Sequence, residues 1–294
     1  MASSGRVALV TSTVGQARDT DLPLVLEALR ALGVDAEVVR WDAEGHDWGA
    51  YDHVVIRSTW DYSGRLDEYL AWVDAVAAVT RLHNPAEVVR WNSDKRYLGV
   101  LVERGVPTVP TAFLAPGEKV ELPAYDGHQQ FVVKPSVSAG ARDSARYTAD
   151  QVALAEAHVR SLHAHGRTAM IQPYLPRIAE GERALVFLAG EFSHALRKGP
   201  VLTDIGVVDN ARVAHPDLTI HQPSAAELEV ARTAIGAAPR AGDLLIARAD
   251  LALTDDGSPV VMELELIEPF LFLVHSPEGV RNVARTIREL TLRQ

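Results

Sequence analysis

The chain has 294 residues, enough for a large core shared among two or three subdomains, and its 47% hydrophobic and 23% charged residues are ordinary for a globular protein. A formal net charge of −10 argues against nucleic acid or an anionic membrane as partner, though not against an anionic small molecule in a local basic pocket. The absence of cysteine excludes disulfides, thiolate catalysis and cysteine-ligated zinc. No run of 18 apolar residues offers a membrane span, and the five-residue apolar run in "MASSGRVALVTSTVG" is too short for a signal-peptide core, so the expected location is cytoplasmic. Nothing in the composition fixes the oligomeric state, and a homo-oligomer stays open.

"RVALVTS" (6–12) reads as a buried strand. A helix follows, with Asp21 as N-cap, Pro23 in the first turn, apolar residues Leu22, Val25, Leu26, Leu29 and Leu32 at helical spacing, and Gly33 as the stop. Strands "DAEVVRW" (35–41) and "DHVVIRS" (52–58) come next, then a helix over Leu66–Ala78. This alternation predicts an open parallel sheet over roughly residues 1–90. The loop "TSTVGQARDTD" after the first strand is not G-x-G-x-x-G, so the dinucleotide fingerprint is missing. A Pro- and Gly-rich stretch at 105–127 marks a boundary.

Beyond it, "QQFVVKPS" reads as a strand, followed by a small-residue loop and a helix starting at Thr148, with Gln151 completing a capping box, and stopping near Gly166. "TAMIQPYLP" and "RALVFLAGEFSHALR" read as further strands. The last helix takes Ser276 as N-cap and Pro277 at its first position, with Val280, Val283, Ala284, Ile287 and Leu290 as its apolar stripe.

The segment "ARADLALTDDGSPVVMELELIEP" (247–269) carries the densest chemistry. Its two flanks alternate around Asp256-Gly257, a strong hairpin signal. With those two residues as the turn, Asp250 falls opposite Glu263 and Arg248 opposite Glu265, all four on one face. Ala249, Leu251, Leu253, Met262, Leu264 and Leu266 then form the core face. Carboxylates paired roughly 5 Å apart repel by about 3 kcal/mol at an effective dielectric near 20. Arg248 is one cation among three acids, and a divalent cation would settle the rest. The plain alternative is a solvated polar face of an antiparallel sheet.

Lys134 ends a buried strand ahead of the Ser-, Gly- and Ala-rich loop "SVSAGARDS" (136–144), a combination suited to nucleotide phosphates although it is not a Walker A loop. Taken alone, Lys134 would be a strand-end lysine reaching water, and Lys95 in "RWNSDKRYL" a surface charge. Arg57, Trp60, Asp61 and Tyr62 follow a strand of the parallel sheet, where open α/β sheets place ligands. Packing against a neighbouring domain is the alternative for Trp60 and Tyr62. Asp19 or Asp21 offers a partner for a substrate ammonium. The histidines at 158, 163 and 165 read as the polar end of a helix, and no G-x-S-x-G nucleophile motif is present.

In this order these pieces resemble the ATP-grasp superfamily over roughly residues 90–275. The resemblance implies an α/β fold, α+β in its C-terminal part: an open parallel-sheet domain at 1–105, a small lid subdomain at 106–178 and a C-terminal subdomain with a metal hairpin at 179–294. It implies that Lys95 and Lys134, with Ser136, Ser138 and Gly140 of the loop, hold ATP phosphates. Main-chain groups of Tyr174 and Leu175 would take the adenine beside Gln172, and Glu182, or Glu180 close by, the ribose. Asp250, Glu263 and Glu265 would bind Mg²⁺, two ions by the family's pattern, with Arg248 steadying an acyl phosphate and Arg197 with Lys198 near the γ-phosphate or carboxylate. Glu265 departs from the asparagine common there, and Gln172 from a glutamate. His194 is left without a role.

"IRSTWDY", "RWNSDKRYL", "GEFSHALRKGP" and "ELELIEP" narrow the resemblance to the small branch that includes O-ureido-D-serine cyclo-ligases of cycloserine biosynthesis. That implies a small amino-acid-like substrate whose carboxylate is phosphorylated by ATP and then attacked by a nitrogen of its own ureido group, with loss of CO₂ and NH₃. The alternatives are a ligase joining a carboxylate to a separate amine and a nucleotide-binding module without turnover.

Overall fold

The computed structural model describes residues 5–124, 129–211 and 217–292, so the end of the Pro- and Gly-rich stretch, at 125–127, lies outside the described residues. Strands β1 (Val7–Thr11), β2 (Ala36–Arg40), β3 (His53–Ser58) and β4 (Arg81–His83) form the parallel sheet that the alternation predicts, in the order β2-β1-β3-β4. Helices α1 (Thr13–Arg18), α2 (Asp21–Ala31) and α3 (Leu66–Ala77) connect them. Val7 and Leu9 pack on the α2 side while Ala8 and Val10 pack on the α3 side, which is why the strand is apolar without alternation. The first turn of α1 has to be small: a Cβ on Gly15 would lie 1.9 Å from the Ser58 carbonyl oxygen.

The cap of α2 differs from expectation. Asp19 Oδ1 accepts from the amides of Asp21 (2.8 Å) and Leu22 (3.1 Å), so Asp19 caps the helix. Asp21 is buried inside the first turn, and its two oxygens accept from Leu271 and Leu273, 2.8 Å each.

Two short helices, α4 (Ala86–Asn92) and α5 (Tyr97–Glu103), then cross to the antiparallel part of the molecule. One sheet there has the order β5-β8-β6-β7, from β5 (Ala112–Leu114), β6 (Gln130–Pro135), β7 (Ala145–Thr148) and β8 (Ala169–Pro173), with α6 (Val152–Ala164) packed on it. The capping box at Thr148 forms only in part. Gln151 Oε1 accepts from the Thr148 amide at 3.2 Å, but Thr148 still belongs to β7 and the helix begins at Val152.

The other sheet runs β11-β10-β9-β12-β13, from β9 (Glu182–Leu188), β10 (Glu191–Lys198), β11 (Thr219–Ile220), β12 (Ile246–Leu253) and β13 (Pro259–Glu265). Helix α7 (Ala225–Gly236) covers β12 and β13. It went unread in the sequence although "SAAE" at 224–227 spells a complete capping box. Helix α8 (Pro277–Leu292) starts where expected, Ser276 Oγ accepting from the Gly279 amide at 3.1 Å.

The hairpin β12–β13 keeps the expected pairs Arg248–Glu265 and Asp250–Glu263, but through two departures that offset each other. Its loop is one residue longer, closing on Leu253–Pro259 with Gly257 at φ +88. A bulge then inserts Met262 and restores the register before the acids. Met262 consequently leaves the core face and turns to the opposite side, against Leu175 and Ile178. On the core face Leu251, Val261 and Leu264 are buried.

The outer edge of β13 is closed by the main chain of 107–109 only at Val261, and beyond it by side chains. Tyr97 Oη exchanges bonds with both main-chain groups of Leu264 (2.8 and 3.0 Å), and Asn92 accepts from Leu266 N (2.8 Å) while donating to Leu264 O (2.9 Å). Asn84 donates to Leu266 O and Ile246 O. Unpaired edge groups are costly when buried, so these three residues fix the strand that carries Glu263 and Glu265.

Candidate active site

A cleft of about 760 Å³ opens between the two antiparallel sheets, within the size range of small-molecule sites. On one wall Asp250 is buried, its Oδ1 accepting from Arg248 Nε (2.8 Å) and its Oδ2 from Arg248 Nη2 (2.8 Å) and Lys198 Nζ (2.5 Å). Lys198 also reaches Glu182 at 3.0 Å, Lys95 reaches Glu263 Oε1 at 3.0 Å, and Arg248 binds Glu265. The premise that a single cation faces the three acids is therefore corrected: Lys95 and Lys198, far away in sequence, join Arg248.

Charge states follow from these contacts. Burial works against ionisation of Asp250, but Arg248 and Lys198 outweigh it and hold its carboxyl below the usual range. Burial, assisted by Asp250 and Glu263 against the pull of Arg248, pushes Glu265 up to about 7. Burial also acts against Lys198, yet Asp250 and Glu182 raise its pKa.

Lys134, the last residue but one of β6, lines the cleft, and burial lowers its pKa. Lys95 is not a surface charge. It is buried, donates to Ser138 O at 2.8 Å and ties the loop 136–144 to the hairpin. Ser138 and Gly140 line the cleft, whereas Ser136 holds the loop's base through main-chain bonds to Lys95 and Thr168 and is not part of the lining. Asp143 exchanges two 2.8 Å bonds with Asn210, so the segment 199–211 meets the loop above the cleft. The adenine end expected at 172–175 is an apolar slot of Tyr174, Leu175, Ile178 and the bulged Met262. Gln172 donates to Thr111 Oγ1 at 2.9 Å, and the Tyr174 amide to Gln130 O. Glu182 lines the cleft; Glu180 is exposed and paired with Arg177 and Arg183.

The opposite end is walled by Trp60, Tyr62 and the segment 266–273 that follows β13. That segment is strapped down by side chains from distant elements. Trp60 donates to Glu268 O (3.2 Å), Arg57 to Pro269 O (3.4 Å) and Arg248 to Phe270 O (2.8 Å), while Asp21 takes the amides of Leu271 and Leu273. His194 Nε2 lies 2.7 Å from Leu271 O, which gives that residue a structural contact outside the cleft.

Several residues proposed from sequence fall elsewhere. Arg57 is fully buried behind the strap, Asp61 binds Trp41 and Arg65, and Asp19 serves as a cap; none lines the cleft. Arg197 is exposed on the far face of β10, because neighbours on a strand point oppositely and Lys198 takes the inner face. The histidines at 158, 163 and 165 have separate partners in Tyr147, Leu114 O and Ser161 O. In turn the cleft includes residues that sequence reading missed, chiefly Met262, Asn210, Arg18 and Glu268. Glu268 was legible only as a third acid in "ELELIEP". Burial, then Glu265, raises its carboxyl well above the usual range.

Among the described residues no three His, Asp or Glu side chains stand together as a ready cation site, since each hairpin acid already faces a basic group. The donor chemistry nonetheless fits a hard divalent cation: Glu263 and Glu265 keep about 30% of their side chains open, both toward the cleft.

Comparison with known proteins agrees with this architecture. The family profile of the D-cycloserine synthetase DcsG N-terminal domain matches residues 7–84. Cycloserine biosynthesis protein DcsG of Streptomyces lavendulae is 37% identical over 306 residues, covering 97% of this chain and 98% of that protein. The crystal structure of D-cycloserine synthetase DcsG superposes with a TM-score of 0.85 at 34% identity, over 98% of this chain and 100% of that one. A RimK-domain ATP-grasp protein from Sphaerobacter thermophilus shares the fold, with a TM-score of 0.63 at 20% identity over 97% and 98% of the two chains. The fold and its cleft are those of an ATP-dependent ligase of the ATP-grasp class. Within that class, the chain belongs to the DcsG family.

Proposed function

We propose that this ligase activates the carboxylate of O-ureido-D-serine as an acyl phosphate and closes it to D-cycloserine. The observation that carries the reading is the single cleft in which Lys95, Lys134, Lys198 and Arg248 meet Asp250, Glu263 and Glu265, in a chain similar to DcsG along its whole length.

In the first step a carboxylate oxygen of the substrate attacks the γ-phosphorus of ATP and ADP leaves. The adenine would lie in the slot of Tyr174, Leu175 and Met262, contacted by the Tyr174 carbonyl and the Leu175 amide, with Glu182 on the ribose. Lys95 and Lys134 would hold phosphate oxygens, and Lys198 and Arg248 would offset charge on the transferred group. Magnesium, which we place on Glu263, Glu265 and Asp250 and count as two ions, would neutralise phosphate charge and orient the leaving group. In the second step the ureido nitrogen bonded to oxygen attacks the acyl carbon and phosphate leaves, closing the isoxazolidinone ring. Water then removes the carbamoyl group as CO₂ and NH₃. Trp60 and Tyr62 would hold the substrate folded so that its own nitrogen is the nearest nucleophile. The loops joined by Asp143 and Asn210 would keep bulk water from the acyl phosphate.

The test is incubation with ATP, Mg²⁺ and O-ureido-D-serine as sole substrate, following phosphate, ammonia and cycloserine. Equal amounts of phosphate and cycloserine are expected without any second amine. Phosphate release that begins only when another amine is added would replace ring closure by intermolecular ligation.

A further inference from the structure

Glu182, Asp250, Glu263 and Glu265 each have a lysine or arginine within ion-pair distance. Glu268 does not. Apart from its own main-chain amide, its carboxylate has no hydrogen-bond donor among the described residues, and Lys95, already paired with Glu263, acts on it only through space, although it is half-buried and lines the same cleft. Its position is not slack: the main chain on either side is held by Trp60, Arg57, Arg248 and Asp21. A fixed, partly desolvated carboxylate without a counter-ion is a group lacking its ligand.

The chemistry of that ligand follows from where Glu268 stands. It lies within electrostatic reach of Glu263 and Glu265, hence beside the place where a substrate carboxylate would receive phosphate. In an α-amino acid the ammonium is only two bonds from the carboxyl carbon, so its acceptor has to sit next to the phosphoryl site. Asp61 is taken by Trp41 and Arg65, Asp19 is committed to the start of α2 through Oδ1 and keeps only a buried Oδ2 without a partner, and neither acid lines the cleft. Trp60 and Phe270, with ring centroids 5.8 Å apart, flank the same end and offer aromatic faces to a cation. Resting on the small-amino-acid reading above, we propose that Glu268 receives the α-ammonium of the substrate and makes the enzyme selective for α-amino acids over plain carboxylic acids.

The test measures binding in the full-length protein by calorimetry, with Mg²⁺ and a non-hydrolysable ATP analogue present. The ligands are O-ureido-D-serine and its desamino counterpart, 3-(ureidooxy)propanoate. Wild-type protein should lose roughly 10–100-fold in affinity when the amine is removed, the scale of a charge-assisted bond. Glu268→Gln should bind both ligands within about 3-fold of each other, and Glu268→Asp should recover part of the preference, while both variants bind the nucleotide analogue as wild type does. Undiminished preference in Glu268→Gln, or equal binding of both ligands by wild type, overturns the assignment. Preference that depends on Glu268 without cycloserine formation refutes ring closure and leaves the assignment standing. No binding of O-ureido-D-serine by wild type overturns both.

Discussion

The hairpin β12–β13 and the strap 266–273 are consecutive in the chain, line one cleft and solve opposite electrostatic problems. On the hairpin every inward carboxylate is matched by a basic side chain, two of them brought from Lys95 and Lys198. On the strap the main chain is pinned by side chains from distant elements, and the one inward carboxylate has no ion-pair partner. The first arrangement has its charges balanced without ligand and, on the proposed function, would have to exchange partners for phosphate and metal. The second holds a group still and lets the ligand supply the missing charge.

The sharpest way to break this contrast is to unmatch the hairpin. Lys198→Met leaves Glu182 without its cation and Asp250 with Arg248 alone, and should lose about 3–5 kcal/mol of stability along with all turnover. Urea unfolding measures it, and a loss below about 1 kcal/mol would mean that solvent already screens the pair. Glu263→Gln should lower kcat by about 10²–10³ while the fold is retained with a loss of only about 1–2 kcal/mol, because the glutamine oxygen still accepts from buried Lys95. Turnover like that of wild type would remove Glu263 from the phosphoryl site. On the strap, Asp21→Ala orphans two buried amides and should cost about 2 kcal/mol and raise KM for the amino acid more than it lowers kcat. Equal changes in KM and kcat would show that the strap does not position substrate.

A smaller effect away from both regions calibrates them. His83, with Nε2 3.2 Å from His53 Nδ1, is brought by burial to about 4, below the ordinary 6.5. The unfolded chain therefore takes up the proton first, and stability falls as pH drops from 6.5 toward 4, by about 1–2 kcal/mol once partial exposure is allowed for. His83→Gln should flatten that slope in thermal melts between pH 7 and 4.5. An unchanged slope would assign it to the carboxylates.

The contrast also explains what sequence could reveal. Alternation and the Asp256-Gly257 turn reach the pairing of Asp250 with Glu263 only because the longer loop and the bulge shift the register by one residue in opposite senses. The bulge at Met262 was invisible, since an inserted residue leaves the apolar pattern nearly intact. Partners such as Lys95 and Lys198 come from other elements and surfaced only through family resemblance. Arg197 shows a local rule left unused: strand alternation forbids it and Lys198 from facing one cleft. Helix α7 is the same kind of miss, its capping box written plainly at 224–227. Glu268 needed the fold itself, because nothing in "ELELIEP" tells which acid keeps a partner.

The closure of β13 by Asn84, Asn92 and Tyr97 bears on how the molecule can be divided. A fragment starting after residue 105 would keep the whole acidic hairpin and the cover of 107–109 over Val261, yet leave the amides and carbonyls of Leu264 and Leu266 open to any passing chain. Engineered halves cut there should misassociate when expressed alone and regain order only when the missing half is supplied alongside.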